Sequence, residues 1–305
     1  MSGWMKGNQS MKFRGHETFF IRKGWLTKGM KYVKRHPDVF VSKEEKPMDV
    51  LGIGTNMVKS LRYWMQAVGI TKEPTHGKRI QSFTPLGDLV YRYDRYLEEP
   101  GTLVLLQYKL AANQQEATAW YFFFNEFPML EFTRDDFIRG LKNYVLMQDK
   151  DTSVADRSYQ DDFSCIINTY LPRYKTSRQT FSPENNIACP LGELRLLDYA
   201  SQDKNVYRKM MAQPQMISPY IALAIILMQH RDADEVSLDS LLHAPKSIGR
   251  AFNFDMTALM YLLKKLEQLG EIRIVRTAGL DVIHIMTEYT AEECVEHYYQ
   301  DILKE

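Results

Sequence analysis

LGIGTNMVKSLRYW, residues 51–64, places two glycines, a polar step and an amphipathic run side by side. Two readings compete for it. Either Gly52 and Gly54 wrap a phosphate, which makes the chain a nucleotide enzyme, or they turn a tight corner between two helices. A Walker loop needs Gly-x-x-x-x-Gly-Lys-Ser/Thr behind a strand, so that backbone amides surround the phosphates and the lysine reaches them. That spacing is absent. A Rossmann loop needs a third glycine, where this chain has Met57, and a βαβ unit with a later acid. Both nucleotide readings fail, and no nucleotide cofactor is expected.

Val58, Leu61, Met65 and Val68 follow at steps of three, four and three, the spacing of one buried helical stripe. The pattern predicts a helix from Thr55 to Val68, closed by Gly69, with Asn56, Lys59, Arg62, Tyr63 and Gln66 on its outer surface. Met48 to Leu51 fit one helical turn before it, and His76-Gly77-Lys78-Arg79 fit a hairpin after it. Upstream, His16 to Val33 reads as a helix carrying Phe20, Trp25 and Val33 among cations, with Gly24 or Gly29 as a candidate break and His36-Pro37 as its stop. Thr84-Pro85 opens a further helix through Tyr96. Short helix, corner, longer helix and hairpin is the order of a winged helix-turn-helix.

The pattern returns near the C-terminus. Pro219 to His230 reads as an apolar helix, Val236 as a short strand, and Ser237 as the cap of Leu238 to His243. Phe254 to Leu269 is the long helix, with Leu259, Leu262, Leu263, Leu266 and Leu269 as its stripe and Gly270 as its stop. GEIRIVRTAGLDVIHI then alternates and turns at Ala278-Gly279. Between these units the pattern is helical and aromatic, with Trp120 to Phe124 as core, while Asp149 to Asp162 and Tyr174 to Asn186 read as exposed connections. The expectation is a mainly α fold with two winged helix-turn-helix units flanking a helical middle region. Its domains are 1–100 (DNA-binding), 101–215 (helical middle) and 216–305 (C-terminal winged helix).

Over 305 residues the formal charge is +1, so the global balance asks for no polyanion. The distribution does. Residues 1–35 hold nine Lys and Arg against the single acid Glu17, a local balance of +8. Three scattered cysteines suggest neither a disulfide framework nor a zinc site. No apolar run is long enough for a signal peptide or a membrane span, so a cytoplasmic protein with no membrane partner is expected. Phosphates call for Lys or Arg and base edges favour Arg, Asn and Gln, which the helix after Gly54 supplies. The candidate contacts to double-stranded DNA are Arg22, Lys23, Asn56, Lys59, Arg62, Tyr63, Lys78 and Arg79.

GHETFFIRKGWL (residues 15–26), LGIGTNMVKSLRYW and CPLGEL (residues 189–194) together resemble a bacterial family associated with DNA phosphorothioation and related defence cassettes. The resemblance spans most of the chain. It implies a component that nicks DNA, or directs nicking, for sulfur incorporation, beside cysteine desulfurase, ATPase and sulfurtransferase-like partners. One position departs: the family pattern has Lys before Asn-Met-Val, where this chain has Thr55, so if that Lys touches phosphate in relatives, this chain lacks the contact.

Nicking requires an activated nucleophile and charge stabilisation at phosphorus, supplied by a carboxylate-held divalent metal such as Mg or Mn, or by a histidine base. His16 and Glu17 are the catalytic candidates, an imidazole and a carboxylate set among cations. The competing reading has them bracing the first helix, since adjacent helical residues point in different directions. Asp161-Asp162 is the second acidic candidate, and Cys189 a candidate sulfur acceptor that equally suits a buried position. The rival function is a non-catalytic, regulator-like adaptor. Its N-terminal unit holds DNA, while the C-terminal unit, through Thr257, Tyr261, Lys264 and Lys265, holds a partner protein or a second copy as a homodimer.

Overall fold

The computed structural model describes residues 11–171, 189–231, 233–277 and 280–304. The readings of Tyr174 to Asn186 as a connection and of Ala278-Gly279 as a turn lie largely or wholly outside the described residues. The fold is mainly α. The first unit runs α1 (Trp25–Arg35), α2 (Pro47–Leu51), α3 (Thr55–Ala67), β1 (Thr71–Lys72), β2 (Ser82–Phe83) and α4 (Pro85–Tyr93). Val58, Leu61, Met65 and Val68 are all buried, as their spacing requires. Gly69, at φ 74, ends the helix. Thr84 caps α4 by accepting from the Gly87 amide at 3.0 Å.

The N-terminal stretch departs from expectation. Helix α1 begins at Trp25, and residues 14–18 form a turn rather than its first coils. Arg14, Glu17 and Thr18 are left-handed there (φ 58, 49 and 69), a conformation no helix tolerates. Arg22 and Lys23 therefore do not continue a helix from His16.

The middle holds α5 (Pro100–Ala112), α6 (Thr118–Tyr121) running into a π-helical turn (Phe122–Glu126), α7 (Arg134–Gln148) and α8 (Asp156–Tyr170). It is not wholly helical. Strands β3 (Glu131–Phe132), β4 (Leu197–Ser201) and β5 (Val206–Lys209) form an antiparallel sheet in the order β3-β5-β4. Trp120 to Phe124 are buried, as expected. The segment read as an exposed acidic connection is half helix, since α8 starts at Asp156 and its Asp162 is 1% exposed.

The C-terminal run is α9 (Pro219–Gln229), β6 (Glu235–Ser237), α10 (Leu238–His243), α11 (Ile248–Phe252), α12 (Met256–Gln268), β7 (Ile272–Thr277), β8 (Leu280–Ile285) and α13 (Ala291–Ile302). Its sheet is antiparallel in the order β6-β8-β7. Leu259, Leu262, Leu263 and Leu266 are buried, whereas Leu269, one residue past the helix, is 48% exposed. Helix α13 packs on α9 and α4, where Tyr299 stacks on Tyr93 and bonds Thr102 at 2.7 Å. One continuous apolar core thus runs from Ile21 to Tyr299.

Lys209 closes the π-helical turn, its Nζ donating to the carbonyls of Phe123 (2.6 Å) and Phe127 (2.7 Å). Burial pulls its ammonium down to about 7, helped by the nearby Arg250 charge. The unfolded chain holds this proton up to a pKa of about 10.4, so folding stability attributable to Lys209 rises with pH between about 7 and 10. Thermal unfolding across that window should show the rise in the wild type and a flatter profile in Lys209→Met.

Candidate nucleic-acid interface

The glycine pair is a corner. Helix α2, not a strand, precedes it; Gly52 ends that helix in the left-handed region (φ 62), and Gly54 is extended (φ −62, ψ 158) at the start of α3. A methyl group added at either glycine would meet nothing within 4 Å, so neither is needed for close packing. Lys28 of α1 donates to the Leu51 carbonyl at 2.9 Å and ties the corner to the first helix. The corner sends α3 outward with Thr55, Asn56 and Lys59 exposed on its first turns.

Of the candidate contacts on α3, Asn56 and Lys59 remain on the surface. Lys59 is 58% exposed, and its Nζ lies 3.8 Å from the Glu17 carboxylate at the tip of the 14–18 turn. Arg62, expected to be free, is engaged: Nε and Nη2 donate to the two oxygens of Glu73 at 2.7 and 2.8 Å. Tyr63, expected outside, is 5% exposed. Its ring lies edge-on to Trp64 with 5.0 Å between centroids, and Gly15 leaves no room above it, since a Cβ there would sit 2.5 Å from Cδ2. Helical spacing tells which side a residue takes, but the 14–18 turn folds over that side and makes it interior.

Around α3, Lys23 is exposed, while Arg22 lies over the rings of Phe19 (5.6 Å) and Trp25 (5.4 Å). Beyond β1, residues 74–79 are all exposed and include His76, Lys78 and Arg79. Lys78 reaches Asp38 at 3.0 Å and holds that carboxyl below the usual carboxylate range. Lys23, Asn56, Lys59, Lys78 and Arg79 are each exposed, polar or cationic side chains of the kind that suits a phosphate backbone.

His16 and Glu17 do not act side by side. His16 is wholly buried, stacked on Trp64 and edge-on to Trp120. Its Nδ1 accepts the Thr18 amide at 3.0 Å, which places the ring proton on Nε2, donated to Asp162 Oδ1 at 2.7 Å. Asp162 Oδ1 also accepts the Arg14 amide at 2.8 Å, and Arg14 Nε lies 2.9 Å from Asp161 Oδ2. Burial raises the Asp162 carboxyl, and the His16 bond works against that rise. Sequence reasoning named both His16 and Asp162 but not their pairing, because 146 residues separate them.

The acidic residues do not fit a metal centre. Among the described residues no three His, Cys, Asp or Glu side chains converge, Asp162 is committed to His16, and Asp161 lies between Arg14 and Arg157. Cys189 is buried and its thiol is pushed up to about 12 by desolvation, far from a sulfur-accepting thiolate.

Fold and surface together define a mainly helical protein that presents a cationic helix and an exposed loop beside a braced turn. The chain matches a family model described as "Protein of unknown function (DUF4007)" over residues 13–299, and it belongs to that family. Among solved structures it is similar to a magnesium ion-bound SspB crystal structure at TM-score 0.82 and 25% identity, covering 96% of this chain and 89% of that one. A second SspB crystal structure is similar in fold at TM-score 0.82 and 24% identity, covering 98% of this chain and 91% of that one. No curated protein sequence matches the chain. Among the described residues no helix is long and apolar enough to cross a membrane.

Proposed function

We propose that this chain is the duplex-DNA-binding component of a bacterial DNA phosphorothioation or related defence system, and that it supplies or directs strand nicking there. The likeness to SspB across nearly the whole chain supports the pathway. One observation carries the binding role: α3 leaves an open glycine corner with Asn56 and Lys59 exposed, and the exposed loop bearing Lys78 and Arg79 follows it. The element order supports a winged helix at residues 25–93, and the order β6-β8-β7 behind α9 to α12 supports a second. We assign 1–100 to DNA, 101–215 to a scaffold and 216–305 to a partner or second copy.

Directing the nick, as an adaptor to desulfurase, ATPase and sulfurtransferase-like partners, is favoured over cutting by one observation. His16 is buried and engaged, and among the described residues no acidic cluster of metal-binding size gathers. Magnesium, named in the SspB structure, is the ion to supply in a nicking assay.

Lys23→Ala with Lys59→Ala should weaken duplex binding and lower the slope of log affinity against log salt by about two, since each phosphate contact contributes roughly one. The matched pair is Lys264→Ala with Lys265→Ala on α12, where Lys265 lies over the Tyr261 ring at 4.7 Å. Fluorescence anisotropy at several salt concentrations reads both. Equal effects from the two pairs place the DNA elsewhere.

A further inference from the structure

We infer that Glu73 is a positioning residue that latches the exposed 74–79 loop to α3, so that the loop meets DNA in one fixed pose. The DNA half of this inference rests on the duplex-binding reading above; the latch itself stands on its own geometry.

Strand pairing alone holds the loop poorly. The ladder beneath it consists of two pairs, Thr71 with Phe83 and Lys72 with Ser82, and so short a hairpin is marginal in water. Yet Glu73, at the loop's start, has a side chain only 10% exposed. Its carboxylate takes Arg62 in bidentate fashion and also accepts from Gln66 Nε2 at 3.1 Å and Gln81 Nε2 at 3.2 Å. Gln81 stands at the loop's other end. Its Nε2 donates to the Arg62 carbonyl at 2.9 Å, its Oε1 accepts the Thr71 hydroxyl at 3.0 Å, and its amide reaches the Pro37 carbonyl at 3.1 Å.

One carboxylate thus joins the residue before the loop, the residue after it and two positions one turn apart on α3. Bidentate, charge-assisted bonds fix direction as well as distance. Arg62, read from the sequence as a DNA contact, is by this geometry the loop's anchor. The cations that the loop carries outward are Lys78 and Arg79.

The latch and simple electrostatics predict opposite signs. Removing a carboxylate from a DNA-facing unit strengthens binding if charge alone matters. If Glu73 is the latch, Glu73→Gln frees the loop and weakens binding. Glu17→Gln, which removes a half-buried acid beside Lys59 without touching the loop, should instead leave affinity unchanged or raise it.

Hydrogen exchange and duplex anisotropy on the full-length chain test this, with Gln81→Ala as a second variant that keeps the charge. The expected result in both variants is at least about tenfold faster exchange at the hydrogen-bonded amides of positions 80 and 81, which close the loop, with exchange in the helical core unchanged. Glu73→Gln should also lower duplex affinity about tenfold and reduce the salt slope by about two, matching Lys78→Ala with Arg79→Ala. Unchanged exchange at positions 80 and 81 in Gln81→Ala and Glu73→Gln overturns the latch. Faster exchange with undiminished duplex affinity overturns its role in presenting the loop to DNA. Failure of the wild-type chain to bind duplex removes the DNA reading, and with it the loop's role there, while the exchange result still decides the latch.

Discussion

Replacing His16 with Ala should lower the unfolding free energy by about 3–5 kcal/mol, the usual cost of deleting one member of a buried hydrogen-bonded pair. The Asp162 carboxylate would keep only the Arg14 amide as a close partner on Oδ1. The space that the imidazole fills beside Trp64 and Trp120 would also empty. Asp162 is already raised by burial, and losing His16 raises it further. A carboxyl whose folded value lies above its unfolded one favours folding at low pH and loses that contribution as pH rises through the folded value. The variant should therefore come closest to wild type in mild acid and fall away towards neutrality. Urea unfolding at a series of pH values measures both effects. Duplex binding should fall together with stability, because the 14–18 turn covers α3. Glu17→Gln, at the surface of the same turn, should shift stability by no more than about 0.5 kcal/mol. A stable His16→Ala that binds DNA normally would mean the buried pair braces nothing.

Gly87→Ala should be nearly as damaging, at about 3 kcal/mol, because the added methyl strikes backbone rather than a movable side chain. A Cβ at this position would collide with the Ile70 carbonyl oxygen. That oxygen already accepts the Thr84 amide at 3.0 Å and the Thr84 hydroxyl at 3.2 Å. Helix α4 must therefore move off β1 and pull apart the junction that seats the hairpin. Gly54→Ala is the contrast: open space and a negative φ make it nearly neutral for stability. If Gly54 nevertheless admits a phosphate at close range, only duplex affinity will change. Thermal unfolding of both variants checks the ranking, and equal Tm values would contradict it.

Local periodicity made α3 legible almost to the residue, because its partners are sequence neighbours and its stripe obeys one spacing. The same holds for α9, β6, α10 and α12, where an apolar helix, a Ser cap and a leucine stripe follow in order. The 14–18 turn was not legible. Its left-handed residues contradict local preference and persist because Asp162, far along the chain, holds His16. The sheet β3-β5-β4 was missed for the same reason, since Glu131 pairs with Arg208 across 77 residues. Lys59 and Asn56 were placed correctly, while Arg62 and Tyr63 were not. Spacing identifies the side of a helix but not which distant segment will cover it.

The proposed DNA surface is α3 and not its counterpart α12. A photoreactive side chain introduced at Asn56 and, separately, at Thr257 tests this directly, since both positions are exposed on the first turn of their helices. Irradiation with labelled duplex at moderate salt should cross-link the chain from position 56 and leave position 257 free. Cross-linking from 257 alone, or from neither position at saturating duplex, would contradict the account.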